Sequence, residues 1–464
     1  MTPAQTGGIV DLKINFSLFR SYLKLGMILG LISFVVGSSC ALFLWSLDRV
    51  TSLRELHPEL LFGLPLAGFI VGFIYYHIGK KVEGGNHLIL DQIHEPGGGV
   101  PRRMAPMILI GTVVTHLFGG SAGREGTAVQ MGGSIASAFA AFWKMNSQEL
   151  QILLMAGIAA GFGGVFGTPW AGAIFAIEVL WIGRIHYRAF LPCLLASLIG
   201  NESCQLWGVG HLRYPMHFSS TGGIGFLSFF HLEGVLWLKV ALAGIIFGLG
   251  SLFFAEVLHL FQSGFKKVIS YPPFRPVAGG IIIILLVGLL GTSDYLGLGV
   301  SSPDPRAVTI LSFFTSPVIH EWSWLWKIIF TAVTLGAGFK GGEVTPLFFI
   351  GAAMGNLLSA WMGAPSDLFA AIGFVAIFAG AANTPLACTI MGIELFGWDY
   401  GIYLATACFI AFRCSGHSGI YLSQRVVRSK RFFAVVPKGM SLREWREINP
   451  HFFQRARLFW KRKR

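Results

Sequence analysis

The sequence predicts an all-α protein that crosses a membrane many times and is built from two related halves. Three observations carry that prediction: composition, the interruption of the apolar runs, and an internal repeat. Of 464 residues, 54% are hydrophobic and only 12% charged, and mean hydropathy is +0.65. A soluble domain carries about 25% charge. This much apolar surface cannot be hidden in soluble cores, so the roughly three globular domains that length alone suggests are rejected. The 60 glycines are about twice the usual share of ~7%. Small residues let membrane helices approach closely where lipid supplies no hydrophobic drive. Many tightly crossing helices are therefore expected.

The first segment, residues 1–20, is mixed and polar and lacks a signal-peptide pattern. The first apolar run, Leu25–Trp45, is flanked by Lys13, Arg20 and Lys24. At the other end, residues 425–464 hold 13 Lys and Arg against Glu444 and Glu447, a net +11 of the chain's +13. Nucleic acid is one partner for such a segment. Basic residues beside a last span instead predict a cytoplasmic end that meets anionic lipid, and no nucleic acid partner is expected. Both ends then lie on one side, with an even number of crossings. The six cysteines show no CxxC spacing and are read as small core residues.

Between these ends, some apolar runs are long, such as 25–47 and 235–262. Others are short: 128–142, 152–166, 346–362 and 369–382. A simple span needs about 20 apolar residues. Short runs broken by glycine predict tilted or re-entrant helices. Such breaks are tolerated only where protein or a water-filled cavity surrounds them, and they point to a transport site. Thr168-Pro169-Trp170-Ala171 leads through Ile174 and Ile177 to Glu178, and Thr384-Pro385-Leu386-Ala387 leads through Ile390 and Ile393 to Glu394. The offset is 216 residues, and a glycine-rich block precedes each copy. The expected organisation is a segment 1–20, a membrane domain 21–428 with halves of about 21–205 and 230–428, and a basic tail 429–464. Spacing alone leaves parallel and inverted halves equally open. Glu178 and Glu394 read as structural helix ends.

The chemistry concentrates at four breaks. In Gly119–Thr127, Arg124 and Glu125 interrupt long apolar stretches, and intramembrane ionisable residues are costly. The helix that follows directs its free N–H groups and positive end at the break, which suits an anion. A carboxylate can take the anion's place and, once protonated, leave it, so one residue can couple an anion to a proton. The alternative is a structural ion pair in a watery mouth. Lys340–Pro346 repeats the design, with Glu343 a second acid, Thr345 a hydroxyl, and Pro346 in a first helical turn; a capping acid is the alternative. In Glu83–Ile89, Asn86 reads as an N-cap or as an amide donor to an anion. His87 and His116 read as structural. Tyr421, placed at the start of a last apolar helix after Gly416-His417-Ser418-Gly419, offers a phenol donor or an interfacial anchor.

Taken in order, these segments resemble the CLC chloride channel and transporter family. Its motifs G-S-G-I-P, G-K/R-E-G-P, G-x-F-x-P and a late tyrosine match Gly85–Ile89, Gly123–Thr127, Gly342–Pro346 and Tyr421. The resemblance covers residues of about 20 to 428. It implies two inverted halves and a homodimer with one path per subunit. The implied anion-binding residues are Asn86, Gly123, Arg124, Glu125, Gly126, Val344, Thr345 and Tyr421. The departures are informative. Asn86 stands in place of a serine, Thr127 in place of the motif's proline, and Val344 in place of phenylalanine. G-R-E-G-T with G-G-E-V-T-P is most similar to the bacterial fluoride/proton antiporter branch. Val179 occupies the position where proton-coupled chloride members carry an inner relay glutamate. The resemblance therefore implies Glu125 as transport gate and Glu343 as proton relay.

The expected function is export of fluoride in exchange for protons, without cofactor or metal, in the bacterial inner membrane. The alternative is a chloride or nitrate transporter or channel on the same fold. An enzyme is not expected. His94-Glu95 and His320-Glu321 lack the second histidine of H-E-x-x-H, Ser418 is not centred in a nucleophile elbow, and no Walker loop is present.

Overall fold

The computed structural model describes residues 7–218, 234–315, 320–430 and 437–449, with side chains described from Leu23 onward. Among the described residues, the first half holds eight α-helices: α1 (Gly7–Leu56), α2 (Leu64–His77), α3 (Asn86–His94), α4 (Met104–Leu117), α5 (Glu125–Phe142), α6 (Ser147–Phe166), α7 (Pro169–Glu178) and α8 (Phe190–Leu206). The second half repeats them: α9 (Gly234–Val268), α10 (Phe274–Leu290), the short α11 (Ser312–Thr315), α12 (Ser323–Ala337), α13 (Val344–Met362), α14 (Ser366–Ala382), α15 (Pro385–Phe396) and α16 (Gly401–Cys414). A two-stranded parallel ribbon, β1 (Trp181–Ile182) with β2 (Arg425–Val426), ties the end of the second half to the first. Among the described residues of the tail, one more helix, α17, spans Leu442–Ile448.

Among the described residues, five stretches are long and apolar enough to span: Leu23–Leu56, Pro58–His77, Ser147–Phe166, Gly234–Val268 and Val344–Met362. Others stop short. At 1.5 Å per residue, the ten residues of α7 cover about 15 Å, half of a ~30 Å hydrocarbon core. Proline explains where α7 and α15 begin. Pro169 and Pro385 each occupy the first turn, where a missing N–H is not needed.

The end of each of these two helices then meets the start of the other. Glu178, the last residue of α7, accepts from Leu386 N (3.1 Å) and Ala387 N (2.8 Å) in the first turn of α15. Glu394, near the end of α15, accepts from Trp170 N (3.0 Å) and Ala171 N (2.8 Å) in the first turn of α7. The two copies of the repeat are therefore antiparallel, and the halves have inverted topology. Both glutamates do the structural work expected of helix ends, on the opposite half. A second symmetric contact lies between the glycine-rich breaks. Gly123 N donates to Gly342 O (2.6 Å) and Gly342 N to Gly123 O (2.7 Å), a two-residue antiparallel bridge.

Glycine sets the closeness of the helix pairs. A Cβ on Gly132 of α5 would lie 2.0 Å from Gly157 O of α6, and one on Gly351 of α13 would lie 2.1 Å from Gly373 O of α14. Equivalent pairs in the two halves thus pack backbone on backbone. Aromatic rings also join α13 and α14, with Phe348 stacked on Phe374 at 3.9 Å.

Candidate functional site

Glu125 is the first residue of α5 and is 1% exposed. Its carboxylate does not turn back on its own helix alone. Oε2 accepts from Thr345 Oγ1 (2.5 Å) and Thr345 N (3.0 Å), in the first turn of α13, and from Arg124 N (3.2 Å). Arg124 Nε lies 3.5 Å from Oε1. A carboxylate of the first half therefore occupies the positive end of a helix of the second half, where free N–H groups favour negative charge. The Gly123–Gly342 bridge makes this possible. A Cβ on Gly123 would lie 2.9 Å from both Thr345 N and Thr345 Oγ1, and one on Gly342 would lie 2.8 Å from Gly126 N.

The second acid sits on the other side of the same bridge. Glu343 precedes α13, and its Oε2 lies 3.7 Å from the position a Cβ on Gly126 would take. Asn86 Nδ2 lies 3.2 Å from that position. The structure thus brings together Asn86, Gly123, Arg124, Glu125, Gly126, Glu343 and Thr345. Val344 is buried beneath them, 1% exposed. Thr127, found where the motif has proline, bonds its hydroxyl to Thr112 Oγ1 at 2.8 Å.

Two expectations about local structure are corrected. Asn86 is not an N-cap. Gly85 takes the cap position with φ +55°, Asn86 is the first helical residue, and no side chain caps α3. The Asn86 Oδ1 atom is instead buried without a hydrogen-bond partner. Tyr421 does not begin a helix. The chain from Ser415 to Gln424 is irregular, because Ile420 N bonds Ala381 O (2.9 Å) and Gln424 Nε2 bonds Val179 O (2.8 Å) and Ala382 O (2.7 Å). With the Ile420 N–H committed to Ala381 and the Gln424 side chain anchored to two other segments, this stretch does not form helical turns. Tyr421 remains buried, 4% exposed, with its ring 6.3 Å from Phe175.

Two cavities approach the cluster from opposite ends of α2. One, of about 540 Å³, is lined by Asn86, Glu343 and Tyr421 together with Tyr75 and Tyr76 of α2 and Arg443 of the tail. The other, of about 990 Å³, is lined by Arg124, Asp48 and Arg54, and by Pro58–Phe62 just ahead of α2. A small void of about 10 Å³, room for about one water-sized particle, separates Asn86, Tyr421 and Val179. Gln130 of α5, 7% exposed, also faces the 540 Å³ cavity. Sequence reasoning missed it. The available signal was an amide inside the apolar run that follows Glu125. His116, read as structural, contacts Thr112 O (2.8 Å) and Ala122 O (3.1 Å) with its two ring nitrogens.

Comparison with known proteins decides the family. The family description "Voltage gated chloride channel" matches residues 67–416, three quarters of the chain. The chain belongs to the voltage-gated chloride channel (CLC) family. Members are ion channels and transporters, and this CLC protein is an anion transporter of the membrane. It is 48% identical over 407 residues to a chloride/fluoride channel protein of Pseudomonas syringae pv. tomato, covering 86% of each chain. It is 27% identical over 312 residues to the voltage-gated ClC-type chloride channel ClcB of Escherichia coli O157:H7, covering 63% of this chain and 68% of that one. Among solved structures, it resembles a CLC-type fluoride/proton antiporter with a TM-score of 0.81 at 32% identity, covering 88% of this chain and 99% of the other. A slow cyanobacterial Cl⁻/H⁺ antiporter shares the fold, with a TM-score of 0.68 at 17% identity over 84% of this chain and 93% of that one.

Proposed function

We propose that this CLC protein exports fluoride in exchange for protons across a bacterial inner membrane. The observation that carries the reading is the Glu125 carboxylate seated on the first-turn donors of α13, between two cavities. Ionised, it fills an anion's place. Protonated, it loses its charge and gives up that place, so anion and proton alternate at one position. Glu343, bordering the cavity that reaches Asn86 and Tyr421, receives the proton on the other side and replaces the relay acid missing at Val179. Gly123, Arg124, Gly126 and Val344 shape the path, while Asn86, Thr345, Tyr421 and helix N–H groups supply donors.

Fluoride holds its water tightly, so a site must offer several close donors in exchange. The Asn86 side chain, which can offer its Nδ2 as a donor beside a void for one small particle, supports that choice. So do the names of the chloride/fluoride channel protein and the fluoride/proton antiporter that this chain resembles. The functional unit is a homodimer with one path per subunit. The membrane domain is 21–428, with 1–20 and the basic tail 429–464 on the cytoplasmic side against anionic lipid. Residues 431–436 and 450–464 of that tail lie outside the described residues.

The test is efflux from liposomes containing purified protein, with fluoride, chloride and pH recorded together. Fluoride efflux well above chloride, with protons moving oppositely, is expected. Equal fluoride and chloride rates would leave the chloride reading, and anion flux without proton movement would leave a channel.

A further inference from the structure

The basic tail is built into the inner architecture rather than appended to it. Seven residues are too few for a helix to hold in water by itself, yet α17 is closed at its start by a reciprocal cap. Glu444 N donates to Ser441 Oγ (3.2 Å) and Ser441 N to Glu444 Oε2 (2.8 Å). Leu442, 1% exposed, packs with Ile182 and Val426. Leu442 N donates to Gln424 O (2.9 Å) and Arg443 N to Leu422 O (3.0 Å), so the helix is bonded to the residues that directly follow Tyr421. One turn on, Arg446 makes a bidentate pair with Glu256 of α9, at 3.1 and 2.7 Å, and Ser418 Oγ donates to the same carboxylate at 2.9 Å. The Arg446 and Glu256 side chains are only 18% and 8% exposed, so this pair is shielded from solvent more than a surface bridge.

These contacts put Arg443 at the 540 Å³ cavity that Asn86, Glu343 and Tyr421 also line. Lys266, Arg275, Lys340 and Arg443 face that cavity against Glu83 and Glu343. Cations outnumber acids there. Two of the four are engaged: Arg275 donates to Ile269 O (2.9 Å) and Ser270 O (3.4 Å), and Lys340 lies over the Tyr75 ring at 4.0 Å. Arg443 is exposed, and among the described residues its guanidinium makes no hydrogen bond or ion pair. A free positive charge at the mouth of a low-dielectric cavity raises the local concentration of anions and their rate of entry.

We propose that Arg443 recruits small inorganic anions into the tail-side cavity, and that the Arg446–Glu256 pair holds it in position to do so. This rests on the transport reading above, because recruitment matters only if that cavity is on the anion's route. Arg443 touches neither Glu125 nor Thr345, so its effect is on entry and not on the exchange itself.

The experiment uses Arg443→Cys in the full chain, labelled in detergent before reconstitution with either a cationic trimethylammonium-ethyl or an anionic sulfonato-ethyl thiosulfonate. Five of the six native cysteines are buried and Cys414 is partly so, and labelled parent protein controls for them. At low ionic strength and subsaturating fluoride, Arg443→Cys is expected to lower efflux about threefold. The cationic adduct should restore it and the anionic adduct should lower it further. At about 0.5 M impermeant salt, where screening acts within about 4 Å, the three should converge. Arg446→Ala should show the same salt-dependent loss. Equal effects of the two adducts, or a loss that salt does not reduce, would overturn the proposal. A parent that carries chloride but not fluoride refutes the fluoride reading only, and the adducts are then compared on chloride flux. A parent that carries neither refutes both.

Discussion

Replacing Glu178 by glutamine should destabilise the fold more than the same change at Glu394, although the two residues are equivalent by repeat. Each carboxylate receives two helix N–H groups of the opposite half. An amide keeps one oxygen and presents its NH2 to the second N–H. One charge-assisted bond is lost, worth about 1.5–3 kcal/mol, together with about 0.3–1 kcal/mol of charge at a helix N-terminus. Glu178 is 7% exposed and Glu394 more so. Glu178→Gln is therefore expected to cost about 2–4 kcal/mol, and Glu394→Gln about half of that after solvent screening. The two caps lie at opposite ends of α7, about 15 Å apart. Beyond ~10 Å substitutions add to within about 0.5 kcal/mol, so the double variant should show their sum. Denaturant titration of detergent-solubilised protein, followed by tryptophan fluorescence, reads all three. A Glu178→Gln protein as stable as the parent, or one less affected than Glu394→Gln, would refute the reciprocal capping argument.

Glu125→Gln should abolish proton movement during fluoride efflux, since the amide cannot exchange a proton; normal fluoride-driven proton pumping would remove Glu125 from the gate. Glu343→Gln should slow proton flux while leaving expression and detergent-phase size unchanged, and coupled exchange at the parent rate would reduce Glu343 to a structural role. Asn86→Ser should narrow the fluoride-over-chloride flux ratio in liposomes, because a shorter side chain withdraws its donor from the void beside Tyr421; an unchanged ratio counts against that role. A cysteine at exposed Lys438 should react with an impermeant thiol reagent only after cells are permeabilised, and labelling of intact cells would place the tail outside.

Much of the architecture was legible because its signals are local. The repeated T-P-x-A with its later glutamate marks two copies of one helix, but run length was a poorer guide: the short runs 152–166 and 346–362 belong to Ser147–Phe166 and Val344–Met362, which are long and apolar enough to span, because the residues just ahead of each run continue its helix. Gly-Arg-Glu-Gly-Thr identified a charged break. Local signals could not reveal the partners across the halves. Nothing near Glu125 in the chain announces Thr345, 220 positions away, because that pairing is produced by the two-fold relation between halves. Asn86 was misplaced at a cap because asparagine favours that position, but Gly85 adopts the required backbone instead. Tyr421 was assigned to a helix by the apolar residues around it, whereas the Ile420 N–H bonds Ala381 O and the Gln424 side chain donates to the Val179 and Ala382 carbonyls. The tail was read by charge alone, and charge does not reveal that Leu442 is a buried anchor.

The reciprocal glutamates also have a consequence for biosynthesis. Glu178 and the residues that it satisfies are separated by about 208 positions, and Trp170 waits 224 positions for Glu394. At about 5–20 residues per second, a ribosome needs roughly 10 to 45 s to make that stretch. During this interval the Trp170 and Ala171 N–H groups lack the Glu394 carboxylate that receives them in the finished fold. The first half therefore cannot reach its final form on leaving the ribosome. It completes only when the second half arrives, so a chain interrupted between the halves leaves no independently finished domain behind.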